Sequence, residues 1–150
     1  MPQQMIDHEL AGQLRDATFR LARQLRQLAS DGVSLSPSQM AMLVTVEKHG
    51  PLSLGELAAI EKLAKPTVTA VVGKLEEQEF VRRLADLHDG RVSRIELTAR
   101  GRRHMAALRQ RRNEWLWERL AALSPEDLAA LAAAIPALEA LARHEEAGES

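Results

Sequence analysis

The chain has no cysteine among its 150 residues, which excludes a disulfide framework, a cysteine redox switch and a thiolate metal site. Aromatic residues supply 3% of it against 45% for all hydrophobic residues, so any core is aliphatic. No apolar run approaches the roughly 18 residues of a membrane helix. No basic segment followed by an apolar stretch opens the chain, so neither a membrane span nor a signal peptide is expected, and the expected location is the cytoplasm. A Gly-rich phosphate loop and a G-x-S-x-G elbow are also missing, and pairs such as Glu76-Glu77 and Glu145-Glu146 read as solvated charge. An enzyme is therefore not expected. The five histidines, His8, His49, His88, His104 and His144, show no H-x-x-H or H-x-x-x-H spacing, so neither a metal nor another cofactor is expected.

A strong excess of charge is absent too, the formal net charge being -1. The distribution is less even than the sum. Ten of the twenty Lys and Arg residues lie between Arg82 and Arg112, with only Asp86, Asp89 and Glu96 against them. A local patch of this kind can supply the salt-dependent attraction to phosphates that whole-chain charge conceals.

A chain of this length makes one domain or a small subunit, with enough residues for one core. From Ile6 to Ala29 it reads as a long helix with Leu10, Leu14, Ala17, Leu21, Leu25 and Leu28 on one stripe, ended by Asp31-Gly32. Ser36-Pro37-Ser38-Gln39 has the form of a capping box with proline in the first turn, opening a helix through Met40, Leu43 and Val44 to Gly50-Pro51. Thr98 can cap a helix running to about Ala122, with Met105, Leu108, Leu116, Leu120 and Leu123 on its stripe and Trp115 at the edge. Ser124-Pro125-Glu126-Asp127 opens the last helix, through Leu128, Leu131, Ile135, Leu138 and Leu141, with a bend expected at Pro136 and fraying from Glu145 to Ser150.

Between these lie the residues that organise the rest. Ser53 and Glu56 form a second capping box, opening a helix in which Leu54, Leu57 and Ala58 share a face and Gly55 suggests close approach of another backbone. Pro66 cannot sit inside a helix, so a second helix of about 14 residues starts near Lys65. Its core face is Val68, Val71, Val72 and Leu75. The opposite face carries Pro66, Thr69, Ala70 and Gly73, with Lys65, Thr67 and Lys74 at its edges. Short side chains rimmed by cations suit a helix lying in a major groove, cations and hydroxyls on phosphates and small groups near base edges. Two strands follow, Phe80–Ala85 and Val92–Leu97, and Asp89-Gly90 is a hairpin-turn signal that puts Arg91 at or beside the tip. A guanidinium there is what a narrow, negative minor groove attracts, and Asp89 can orient Arg91 or Arg94 by a bidentate pair.

Asp89-Gly90-Arg91-Val92-Ser93-Arg94 resembles the D-x-R-x-x-R wing of MarR-type transcriptional regulators, and Leu97-Thr98-Ala99-Arg100-Gly101 the L-T-x-x-G that follows it there. Pro66-Thr67-Val68-Thr69 with Leu75-Glu76 is similar to that family's recognition helix. The resemblance implies a mostly α fold with a small β-hairpin wing: a winged helix-turn-helix over 36–100, flanked by dimerisation helices over 1–35 and 101–150. It also implies a homodimer on a pseudo-palindromic double-stranded operator, usually repressing, and often released by a small aromatic or anionic effector. The residues expected at DNA are Ser53, Lys65, Pro66, Thr67, Thr69, Ala70, Gly73, Lys74, Asp89, Arg91 and Arg94. Two positions depart from the family pattern. Ala64 stands where a capping Ser is common, and Ala70 where a longer polar or basic side chain is frequent, which shifts weight from base readout to the wing and to DNA shape.

The end helices carry more aliphatic stripe than a winged domain needs, and the simplest cover is a twofold partner. Arg112 falls within such a stripe. Arginines placed so commonly snorkel or pair with a carboxylate, and the functional alternative is an anchor for an anionic ligand in a crevice that Phe19, Met42 or Met105 would share. A helical dimer that binds a protein and not DNA is the rival from another class.

Overall fold

The structure is a computed structural model that describes residues 8–28 and 32–143. The expected helix limits at Ile6, Ala29 and Asp31, as well as His144 and the stretch 145–150, lie outside the described residues. Among the described residues six helices and three short strands follow in the order α1 (His8–Gln27), α2 (Pro37–His49), β1 (Leu52–Ser53), α3 (Leu54–Glu61), α4 (Lys65–Glu77), β2 (Val81–Ala85), β3 (Ser93–Leu97), α5 (Ala99–Leu120) and α6 (Pro125–Arg143). Two compact units divide the chain inside α5, Met1–Arg112 and Asn113–Ser150.

Local chemistry sets most of the boundaries in the first unit. Both capping boxes form: Ser36 Oγ accepts from the Gln39 N–H while Gln39 returns to the Ser36 N–H, and Ser53 and Glu56 do the same. The α3–α4 turn is made by Lys62, which takes a left-handed φ of 52°, and by the Leu63 N–H bonding back to the Ala58 carbonyl. Ala64 leaves the start of α4 without a side-chain cap, as its methyl group requires, and its carbonyl accepts from Thr67 and Val68 instead.

The sheet is antiparallel in the order β1-β3-β2. Arg83 pairs with Ile95 across the hairpin, and Leu52 pairs with Ile95 on the other edge. Strand β1 is an addition to the expected hairpin. Phe80 and Val92 fall just outside the strands that were expected to contain them. The core joins Met42, Leu43 and Val46 of α2, Leu57 of α3, Val68, Val72 and Leu75 of α4, Ile95 and Leu97 of β3 and Met105 of α5, with Phe80 among them. Val71 packs at its edge, so the expected inner face of α4 is the inner face found.

The close backbone approach expected at Gly55 occurs at Gly101 instead. A Cβ on Gly55 would meet nothing closer than Ser53 Oγ at 3.9 Å, so no backbone approaches there. At Gly101 a Cβ would stand 2.1 Å from the Phe80 carbonyl oxygen. That oxygen accepts the Thr98 N–H at 3.0 Å, and Thr98 Oγ1 in turn accepts the Gly101 N–H at 3.0 Å. The Leu-Thr-x-x-Gly stretch is thus the joint at which α5 leaves the sheet directly over the end of α4.

Helix α1 has no buried residue, and Leu10, Leu14 and Leu21 of its stripe are exposed. In the second unit, α6 opens with Ser124 Oγ accepting the Asp127 N–H at 3.1 Å and runs on through Pro136. It too has no buried residue, and Leu128, Leu131, Ile135 and Leu141 are exposed. Among the described residues, no helix is long and apolar enough to cross a membrane.

Candidate nucleic-acid interface

The outer face of α4 lacks bulk. Lys65, Pro66, Thr67, Thr69, Ala70 and Lys74 are exposed and Gly73 is half-buried. Thr69 Oγ1 donates to the Lys65 carbonyl at 2.9 Å, which turns the hydroxyl back along the helix. Arg83 of β2 bonds both carboxylate oxygens of Glu76, at 2.9 and 3.1 Å, and so ties the hairpin to the C-terminal end of α4.

The wing turn differs from the two-residue hairpin that Asp-Gly suggests. Gly90 does not adopt a left-handed φ. The loop is instead closed by Asp86 N–H to Val92 O at 2.9 Å and Val92 N–H to Asp89 O at 3.0 Å. Asp86 folds the first half by accepting the backbone N–H groups of His88 and Asp89 through Oδ1. Those bonds, His88 first and Arg94 next, hold the Asp86 carboxyl at a pKa of about 2.

Arg91 stands at the end of this loop with 91% of its side chain exposed. Asp89 grips it on the inner side, Oδ1 accepting Nε at 3.0 Å and Oδ2 accepting Nη2 at 3.1 Å, and also takes its backbone N–H at 3.1 Å. The Arg91 side chain in turn holds the Asp89 carboxyl below its ordinary pKa. The result is an oriented guanidinium with its remaining donors in solvent. Arg94, expected beside it at DNA, is half-buried and bonded to Asp86, Glu56 and the Pro51 carbonyl. Ser53 is occupied as the cap of α3.

The arginine-rich stretch is also less positive than its spelling. Arg82, Arg83, Arg91, Arg94, Arg100 and Arg109 all form ion pairs, and Glu76, Glu56, Glu79 and Glu47 come to them from outside the stretch. The charge offered to phosphates is therefore smaller than the count implies, and among these paired arginines Arg91 is the most exposed.

The family model described as MarR family matches residues 35–93, the stretch from the start of α2 into the wing. An HTH-type transcriptional regulator of Mycobacterium tuberculosis is 39% identical over 119 residues, 79% of this chain and 82% of that protein. The chain belongs to the MarR family. It is therefore a winged helix-turn-helix, DNA-binding transcriptional regulator, with the β2–β3 hairpin as the wing and α4 as the second helix of the helix-turn-helix. A solved MarR family protein from Bacillus stearothermophilus is 27% identical, superposes with a TM-score of 0.73 and aligns over 87% of this chain and 91% of its own. The fold is shared as well by a mutant of MepR from Staphylococcus aureus bound to an oligodeoxyribonucleotide, at 19% identity and TM-score 0.69 over 89% and 98% of the two chains.

The four residues expected around a MarR-type ligand separate. Met42 is fully buried and Met105 nearly so, both packed into the core, so neither side chain can touch a ligand without opening it. Phe19 is 66% exposed on α1. Arg112 lines a cavity of about 360 Å³, together with Arg26, Leu28, Leu35, Met40 and His104. Its Nε donates to the Leu25 carbonyl at 3.1 Å, and burial pulls its pKa down. The stripe expected on α2, Met40, Leu43 and Val44, is turned from the inner face found, which is Met42, Leu43 and Val46 with Val44 exposed.

Proposed function

We propose that this MarR-family regulator acts in the cytoplasm as a homodimeric repressor on a pseudo-palindromic operator, and that a small aromatic or anionic compound releases it. The observation that carries the DNA-contact part of this reading is Arg91, an outward guanidinium aimed by Asp89 from the tip of the wing. The small exposed face of α4, edged by Lys65 and Lys74, supports a helix laid deep in a major groove, with Thr67 and Thr69 near the backbone and bases. That a MepR mutant sharing this fold is bound to an oligodeoxyribonucleotide supports the DNA-binding part of the reading. Two recognition helices about 34 to 36 Å apart would then read successive turns of one duplex face.

Release follows if the ligand prefers a dimer with the wrong recognition-helix spacing, since a ligand shifts an equilibrium only by its differential affinity. The cavity at Arg112 is the candidate seat, with a half-buried guanidinium for an anion and Leu28, Leu35 and Met40 for an apolar ring. The test is to select duplexes from random-sequence DNA with the protein, measure Kd for the recovered sequence, and repeat the titration with benzoate as a model aromatic anion. Selection of a two-part site and weaker binding with benzoate, lost in Arg112→Ala, is the expected result. Failure to enrich any sequence contradicts the operator reading, and binding indifferent to benzoate and to Arg112→Ala contradicts the ligand seat.

A further inference from the structure

Arg94 gathers three acceptors from three segments of the chain. From the middle of β3 its Nε donates to Asp86 at the root of the wing loop. Nη1 donates to Glu56 Oε2 in the first turn of α3 at 3.0 Å and reaches the Pro51 carbonyl ahead of β1 at 3.4 Å. Both carboxylates are already committed elsewhere. Asp86, only 8% exposed, holds the His88 and Asp89 N–H groups, and Glu56 Oε2 closes the α3 capping box on the Ser53 N–H at 2.7 Å.

Two carboxylates against one guanidinium leave this cluster net negative, so its charge cannot be what attracts a phosphate. Its connections have another consequence. The loop that carries Arg91 is fastened at its root to the N-terminus of α3, and α3 leads through the Lys62 turn directly into the recognition helix. A guanidinium fork can join two carboxylates at fixed angles, which an ammonium cannot.

We propose that Glu56 and Asp86 are positioning residues for DNA recognition, acting through Arg94 to fix the wing on the start of α3 so that Arg91 meets its groove in register with α4. The proposal rests on the DNA-binding reading and assigns Arg94 to the scaffold of the wing, not to phosphate contact.

Glu56→Gln separates position from charge. Glutamine still serves in a capping box, so α3 keeps its start. Removing a negative charge near DNA should by electrostatics alone tighten binding. The positioning role demands the opposite: Kd for the duplex selected by the unaltered protein rises about three- to ten-fold, while the thermal midpoint holds. Arg94→Lys keeps the charge but not the fork and should lose as much. The double variant should lose no more than the weaker single, because both cut one joint. Glu56→Gln binding as tightly as the unaltered protein or tighter, Arg94→Lys indistinguishable from it, or losses that simply add, each overturns the proposal. A Glu56→Gln change in thermal midpoint with unchanged Kd also overturns it. If the unaltered protein selects no duplex, the DNA reading itself fails; if it does and the variants match it, only the positioning role fails.

Discussion

The winged region and the end helices spend their apolar residues in opposite ways. In the winged region Met42, Leu43, Leu57, Val68, Val72, Leu75 and Ile95 are all fully buried within one chain. Helices α1 and α6 bury none of theirs, although each carries a leucine-rich stripe. At roughly 25 cal/mol per Å² of apolar surface removed from water, the first arrangement stabilises a fold that one chain completes. The second leaves the same kind of driving force unused, and it accords with the proposed homodimer, in which a second copy would supply the cover. The difference predicts that substitutions in the two regions fail in different ways.

The largest effect belongs to the joint between sheet and α5. Gly101→Ala puts a methyl group 2.1 Å from a backbone oxygen that cannot swing aside. Loss on the order of 3 kcal/mol, or roughly 10 °C in thermal midpoint, is expected by calorimetry. Gly55→Ala, with open space around it, should instead hold or gain stability. Equal losses at the two glycines would erase the distinction drawn between them.

In the end helices the expected failure is of assembly. Ile135 is 52% exposed, so Ile135→Glu should leave the helical circular dichroism of the chain in place while light scattering shows the mass falling from dimer toward monomer. A variant that unfolds as a monomer would mean that Ile135 serves the single chain after all. A smaller effect is expected at the wing in acid. The folded Asp86 pKa of about 2 lies below its ordinary 3.8, so its contribution is present above about pH 4 and lost as pH falls toward 2. Amide exchange at His88 and Asp89, corrected for its intrinsic pH dependence, should rise in that window, and Asp86→Asn should remove the pH dependence. Protection that persists at pH 2 would contradict the role given to that carboxylate.

What was legible in the sequence was local. Ser36 with Gln39, Ser53 with Glu56 and Pro66 after Ala64 act within one turn of chain, and their expected boundaries hold within a residue. Asp89 was expected to hold Arg91 or Arg94, and folding decides between them: it holds Arg91, while Arg94 goes to Asp86. Strand β1 has two residues, too few for any periodicity, and exists only because β3 offers an edge to it. The partners of Arg94 lie 38 and 43 residues away at Glu56 and Pro51, and no spacing rule reaches that far. The run of arginines misled for the same reason, because its neutralising carboxylates arrive from α2, α3 and α4 by folding. Gly55 and Gly101 look alike in a sequence and differ only in what stands above them.

On the proposed reading Arg91 enters a groove of duplex DNA as an exposed guanidinium that Asp89 aims from a fixed wing. The most direct test is the salt dependence of Kd for the unaltered protein and for Arg91→Ala on the same selected duplex. Weaker binding and a log-log slope shallower by about 0.9 for each subunit bound are expected. An Arg91→Ala variant with the slope and affinity of the unaltered protein would contradict that reading.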